Sequence, residues 1–427
     1  MQNLTKKIMI AMVVGAILGV AINTLFGHIA AITEYLVDGL LYVIGAIFIA
    51  SLKMLVVPLV FVSLVGGVTS LGDLSALGRM SIKALALYLL TTMIAITIAL
   101  SLAVSVGPGA GFVEGAEPIE FAGRDAPPIA DVIINMVPSN PIAAMASGNM
   151  LQIIVFALLF GIAITMSGER GNPVLNLFQA LNVVIMKMVE IIMRLAPYGV
   201  FALITRTFAT QGIDLIGPLI GYFLTVTSAL AFHALIVYPL LLKMLVNLDP
   251  YTFLQKMRDP ATFAFSTASS AATIPVTLRT AEAKMGVDNT IASFTIPLGA
   301  TINMDGTAIM QGVATVFIAN VYGINLAISD YLMVVITATL ASIGTAAVPG
   351  VGLVMLTMVL NQVGLPVEGI ALIIGVDRLL DMMRTACNVT GDCVVTCIVA
   401  KSENSLDLVV FDDIGAGAGN GDGLAPT

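Results

Sequence analysis

Between Asp377 and Asp392 the chain sets the carboxylates of Asp377, Asp381 and Asp392, the guanidiniums of Arg378 and Arg384, and the amide of Asn388 into an otherwise apolar run. On a helix, Asp377, Asp381, Arg384, Thr385, Asn388 and Asp392 share an arc of roughly 100°. Charges at membrane depth cost at least ~2.5–3.5 kcal/mol each on insertion scales, so such a stripe must face a partner or a water-filled cavity. The planar fork of Arg384 suits a carboxylate. Asp381, one turn earlier, is placed to accept from an ammonium, and a ligand carrying both groups is an amino acid. Asp305 and Asp392 offer hard oxygen, while Gly299, Asn303 and Gly306 flank a place where a helix can unwind and free its carbonyls. Carboxylate, amide and free carbonyl together are a chemistry for small alkali cations. The plainer alternative is that Asp381 and Arg384 pair at i,i+3 and merely neutralise their helix. Asp377 has a structural alternative as a hairpin acceptor, and Arg378 as the cap of a cytoplasmic-facing cavity.

The elements that must hold these groups are membrane helices. Of 427 residues, 58% are hydrophobic and 10% charged, against about 25% charged in soluble domains. The net charge of −8, with no basic cluster, excludes nucleic acid as a partner. At about 20 residues per span there is room for eight or nine crossings. Apolar windows place them near 8–28, 40–68, 83–106, 146–166, 174–205 and 216–246, with a last helix over 366–400. Lys6 and Lys7 before the apolar run from Ile8 resemble a signal-anchor without a cleavage site, so that run is expected to stay as the first helix. Cys387, Cys393 and Cys397 read as apolar filler, and His28 and His233 as isolated, without a ligand role. No zinc, haem or nucleotide motif is present, and no nucleophile–base pair lies near the stripe, so an enzyme is not expected. Residues 401–427, acidic and glycine-rich, are expected to form a disordered tail.

Two interrupted segments echo each other: Ser270–Pro275 (SAATIP) and Ser342–Pro349 (SIGTAAVP). Each precedes a polar motif at membrane depth, Asn303–Thr307 (NMDGT) after the first and Asp377–Asp392 after the second. Paired, broken hydrophobic segments point to an inverted-repeat secondary transporter. If both are hairpin tips that enter and leave on one side, most Lys and Arg, from Lys6 and Lys7 to Lys401, fall together. The 107–145 connection, with Glu114, Glu117, Glu120, Asp125 and Asp131 against Arg124, then falls opposite. By the positive-inside rule both termini are cytoplasmic.

Four motifs in order, Thr267–Pro275 (TASSAATIP), Pro297–Thr307 (PLGATINMDGT), Gly344–Gly350 (GTAAVPG) and Asp381–Asp392 (DMMRTACNVTGD), resemble the glutamate transporter (dicarboxylate/amino acid:cation symporter) family. The resemblance covers the chain to about residue 400. It implies an all-α polytopic membrane protein with eight transmembrane helices and two re-entrant helical hairpins, working as an elevator in a homotrimer. Residues 1–68 (helices 1 and 2) and 107–212 (an extracellular loop with helices 4 and 5) would form the scaffold. Helix 3 (69–106) and residues 213–400 (helix 6, hairpin 1, helix 7, hairpin 2, helix 8) would form the transport domain.

The resemblance also implies roles. Arg384, Thr307 and the backbone of Gly352 would hold the substrate side-chain carboxylate. Asp381, Thr385 and the carbonyls of Ala268 and Val348 would take the amino group, and Ser270, beside Ser269, would take the α-carboxylate with Asn388. One sodium would sit with Asp392, Asn303 and the carbonyls of Gly299 and Asn388; a second with carbonyls around Thr301, Ser342, Ile343 and Thr345; a third with Tyr88, Thr91, Thr92, Asn303 and Asp305. No other cofactor is implied. Retaining both Asp381 and Arg384 favours L-aspartate or L-glutamate over a neutral amino acid or a C4-dicarboxylate. For a C4-dicarboxylate symporter Asp381→Ser would be harmless. An anion channel or receptor on this fold would bind without accumulating. Departures are Ala268 and Met382, where some members carry arginine, with Arg378 one turn away as a substitute, and Gln311, where proton- and potassium-coupled mammalian members carry glutamate. Gln311 favours sodium coupling, and with no eukaryotic glycosylation loop or long extracellular insert evident, a bacterial inner membrane is expected.

Overall fold

The structure, a computed structural model, describes residues 2–26, 29–69, 78–111, 134, 137–342 and 350–416. Its elements are helices. The first are α1 (Gln2–Ala21), α2 (Tyr42–Thr69), α3 (Gly78–Val106), α4 (Pro141–Ser147), α5 (Met150–Met166) and α6 (Asn172–Gln211). There follow α7 (Ile216–Phe232), α8 (Tyr238–Val246), α9 (Pro250–Lys256), α10 (Arg258–Thr267), α11 (Ser270–Arg279) and α12 (Asn289–Ile302). The last are α13 (Asp305–Val321), α14 (Ile328–Ser342), α15 (Val351–Gln362), α16 (Ile370–Ser402) and α17 (Leu408–Asp412). The stretches Ile32–Gly66, Arg79–Val106, Gly168–Val189 and Ile216–Val246 are long and apolar enough to cross a membrane. Large apolar side chains such as Ile17, Ile47, Val183, Leu224 and Met244 lie exposed on the outside, as they do where the surrounding solvent is lipid.

Helix α6 packs on α1 and α2, and α2 on α5. Ring contacts strengthen that group: Phe61 lies 5.8 Å from Phe156 and 5.6 Å from Phe178, each pair worth about 0.5–1.5 kcal/mol beyond burial. The other group surrounds α16, which touches α7, α8, α10, α12 and α13, while α3 lies along α13 and α14.

Three local breaks shape this second group. Ala268 has the left-handed φ of 49°, and Ser269 accepts from the Ala272 amide at 3.2 Å; together they end α10, cap α11 and fold the chain back on itself. Between α12 and α13, Asn303 and Met304 leave helical geometry (φ −88°, ψ 96°; φ −120°, ψ 44°). The third is a π turn at His233–Val237 between α7 and α8.

The segment after α16 departs from the disorder expected from 401 onward. Asp288 donates its amide to the Ser405 carbonyl (3.0 Å) and Asp407 to that of Gly286 (2.8 Å). Asp407 caps α17, and Phe411 is fully buried. Lys256, itself buried, donates to the carbonyls of Lys284 (2.6 Å), Val410 (2.9 Å) and Phe411 (2.6 Å). The acidic, glycine-rich composition obscured the short apolar run Leu408–Phe411 that this lysine fastens; residues 417–427 lie outside the described residues. Glu403 accepts from Arg79 and Lys83, and these hydrogen bonds hold its carboxyl below the ordinary carboxylate range. Lys256→Met keeps the apolar stem but leaves three carbonyls without their donor, at about 1–3 kcal/mol per unsatisfied group. Proteolytic cleavage within 403–416 should then speed up at least about tenfold, as read by limited digestion and mass spectrometry.

Candidate functional site

The stripe on α16 is buried: Arg384 is 1% exposed, and Asp377, Asp381, Asn388 and Asp392 are also inside. Arg384 divides its fork. Nη1 donates to Asp377 Oδ1 at 2.9 Å and Nη2 to Asp381 Oδ1 at 2.7 Å. Asp381 Oδ2 accepts from the Gly350 amide (3.2 Å) and from Arg378 (3.3 Å). The expected i,i+3 pairing is therefore present, with a second carboxylate added seven residues back. Each acid holds one arm, so neither pairing is bidentate. A carboxylate that takes both arms gains the stronger fork geometry. A Cβ on Gly352 would lie 3.2 Å from the guanidinium, so glycine lets the start of α15 lie directly on it. Thr385 spends its hydroxyl on the Asp381 carbonyl (2.8 Å), within its own helix.

One turn further along, α16 meets the α12–α13 break. Asn388 Oδ1 accepts from the Gly306 amide at 2.7 Å, and its Nδ2 reaches Met304 Sδ at 3.3 Å. Asn303 Nδ2 donates to the Asn388 carbonyl (3.0 Å) and to Asp392 Oδ1 (2.9 Å). Asn303 Oδ1 is buried with no hydrogen-bond partner among the described residues. A Cβ on Gly299 would sit 2.5 Å from Asp392 Oδ1 and 2.6 Å from Tyr88 Oη, so the backbone itself approaches both. An amide oxygen, a carboxylate and unwound backbone in one buried place form a donor set for a small hard cation. A Cβ on Gly306 would fall 2.6 Å from the Arg384 carbonyl oxygen and 2.8 Å from its Cα. Backbone cannot step aside as a side chain can, so Gly306→Ala should separate α13 from α16 and lower the melting temperature by several degrees. Differential scanning fluorimetry reads that shift.

Asp305, at the start of α13, is fully buried and held from three sides. Thr92 donates to Oδ1 at 2.6 Å, Tyr238 donates to Oδ2 at 2.7 Å, and His233 Nε2 lies 3.2 Å from Oδ2. His233 and Tyr238 are five residues apart. In an α-helix they would point about 140° away from each other, and the intervening π turn brings them over one another. Their rings meet edge-on at 4.5 Å. Both residues were missed in the sequence, where His233 was read as isolated. The available signal was a histidine in an unbroken apolar window.

The remaining expected residues fall as follows. Tyr88, Thr91 and Thr92 share one buried stretch of α3; Thr92 meets Asp305, Tyr88 donates to the Thr295 carbonyl (2.9 Å), and Thr91 bonds within its helix to the Tyr88 carbonyl (3.0 Å). Thr307 is buried, 4.0 Å from Met304 Sδ. Ala268, Ser269 and Ser270 are buried at the α10–α11 reversal. Thr301 is half-buried and Ser342 buried; their hydroxyls turn back to the carbonyls of Pro297 and Thr339 (2.8 and 2.7 Å). Ile343, Thr345 and Val348 lie outside the described residues.

Buried charges and helix breaks gathered inside an apolar helical bundle are the apparatus of a membrane transporter, and the comparisons place the chain among symporters rather than enzymes. The profile of the sodium:dicarboxylate symporter family matches residues 4–402, and the chain belongs to that family. It is 36% identical over 419 residues to the proton/glutamate-aspartate symporter of Escherichia coli (strain K12), covering 95% of this chain and 94% of that protein. It is 35% identical over 403 residues to the proton/sodium-glutamate symport protein of Bacillus caldotenax (91% and 93% covered). Excitatory amino acid transporter 3 of Mus musculus is 37% identical over 412 residues (84% and 78% covered).

Proposed function

We propose that this chain imports an acidic amino acid, L-aspartate or L-glutamate, in symport with sodium ions. The observation that carries the reading is the buried Arg384 fork beside Asp381, a cation for a side-chain carboxylate next to an anion for an ammonium. The substrate carboxylate would take Arg384 with Thr307 and the Gly352 backbone; the amino group, Asp381 and Thr385 with the carbonyls of Ala268 and Val348; the α-carboxylate, Asn388 and Ser270. Sodium would use the oxygens around Asp392, Asn303, Gly299 and Asn388, those around Tyr88, Thr92 and Asp305, and carbonyls near Thr301 and 342–345. Sodium neutralises buried carboxylate and fixes the unwound backbone, raising affinity for the amino acid; by linkage the amino acid raises sodium affinity by the same factor.

The mutual packing of α1, α2, α5 and α6, beside the cluster of helices around α16 with which α6 is also in contact, supports a scaffold and a moving transport unit. The helix reversal at Ala268 and the echoing segment Ser342–Pro349 in the sequence support two re-entrant hairpins, in an elevator with eight transmembrane helices. A homotrimer in a bacterial inner membrane, with cytoplasmic termini, completes the proposal. A second reading, proton coupling, is favoured by the word "proton" in the names of the Escherichia coli and Bacillus relatives. Against it stands Gln311, a buried amide that cannot titrate. Labelled L-aspartate uptake into proteoliposomes separates the two. Accumulation under an inward sodium gradient, unaffected by succinate, is expected; accumulation under a pH gradient alone would replace sodium by protons, and no accumulation would sink both.

A further inference from the structure

Tyr222 on α7 is fully buried, and its hydroxyl has no hydrogen-bond partner among the described residues. Its ring is fixed against Phe317 of α13, with centroids 5.1 Å apart. Helix α7 packs on α16, the helix that carries Asp377 and Arg384. A buried hydroxyl without a partner is a loss that phenylalanine of nearly the same shape would avoid. The arrangement without substrate therefore does not explain the tyrosine. Asp377 faces the opposite problem. Among the described residues its side-chain donor is Arg384 Nη1 at 2.9 Å. A substrate carboxylate that takes both arms of Arg384 removes that donor and strands a buried anion, which is costly.

We propose that Tyr222 is a positioning residue that donates its hydroxyl to Asp377 when Arg384 turns to the substrate's side-chain carboxylate. Asp377 then exchanges one donor for another and is never left bare. The idea rests on the acidic-substrate reading above and adds a specificity device to it. Tyr222 rewards only a substrate that draws Arg384 away, so it favours acidic side chains over neutral ones.

The test uses the full-length detergent-purified protein and its Tyr222→Phe variant, with calorimetric titration of L-aspartate in saturating sodium and thermal melting without substrate. The expected result is an unchanged or raised melting temperature without substrate and an aspartate Kd weakened about tenfold to a hundredfold, the worth of a hydrogen bond to a charged group. In an Asp377→Asn background, where no anion is stranded, adding Tyr222→Phe should cost little more. Equal aspartate affinity in wild type and Tyr222→Phe overturns the proposal. So does a lowered substrate-free melting temperature with affinity retained, or an equal loss in both backgrounds. A wild-type protein that binds no aspartate at all overturns the acidic-substrate reading instead, and this inference with it.

Discussion

Arg384→Met is expected to abolish uptake of acidic amino acids. Methionine fills a similar volume but leaves Asp377 and Asp381, now paired at 2.9 and 2.7 Å, without their shared cation. Removing one partner of a buried ion pair costs about 3–5 kcal/mol, and the substrate carboxylate loses its fork as well. Affinity for aspartate should fall at least a hundredfold, since every 1.4 kcal/mol is about a factor of ten. Folding and binding can be told apart with the double variant Arg384→Met/Asp377→Asn, which removes one stranded charge. That protein should recover its melting temperature and still fail to take up aspartate. Uptake by the folded double variant would show that Arg384 does not anchor the substrate.

Asp392→Asn should act on the cation instead. Asp392 is 1% exposed, and its Oδ1 accepts from Asn303 Nδ2 at 2.9 Å. The substitution removes the full charge from a dry site, while the amide oxygen of the new side chain can still accept from Asn303 Nδ2. The sodium concentration for half-maximal uptake should rise about tenfold to a hundredfold, and aspartate affinity at fixed sodium should fall by linkage. Raising sodium should restore aspartate binding. An unchanged sodium dependence would remove Asp392 from the cation site.

The polar stripe of α16 was legible because a charge in an apolar run has to be explained, and the helix period alone puts Asp377, Asp381, Arg384, Asn388 and Asp392 on one face. The break at Asn303–Met304 was legible through its glycines and polar run. Tyr88, Thr91 and Thr92 came only through the family resemblance, since hydroxyls on a membrane helix are ordinary. Two of the three partners of Asp305 were not legible. His233 and Tyr238 lie 72 and 67 residues away in sequence, and an α-helical period separates them; only the π turn brings them together, and nothing in the sequence announces it. In the sequence Lys256 is one loop cation among several. It is buried by carbonyls of Lys284, Val410 and Phe411, up to 155 residues away, which composition does not reveal.

The pairing pattern also bears on how the chain is made. Arg384 and Arg378 find Asp377 and Asp381 within their own helix, so these four charges of α16 can pair as it leaves the ribosome, before any neighbour is in place. Asp305 has no such recourse, because its donors sit on α3, at the π turn and on α8. All of them precede it in the chain, and are already synthesised when α13 emerges. The order of synthesis thus matches the order in which buried charge needs company, with each costly side chain entering the bilayer only when its partner is on hand.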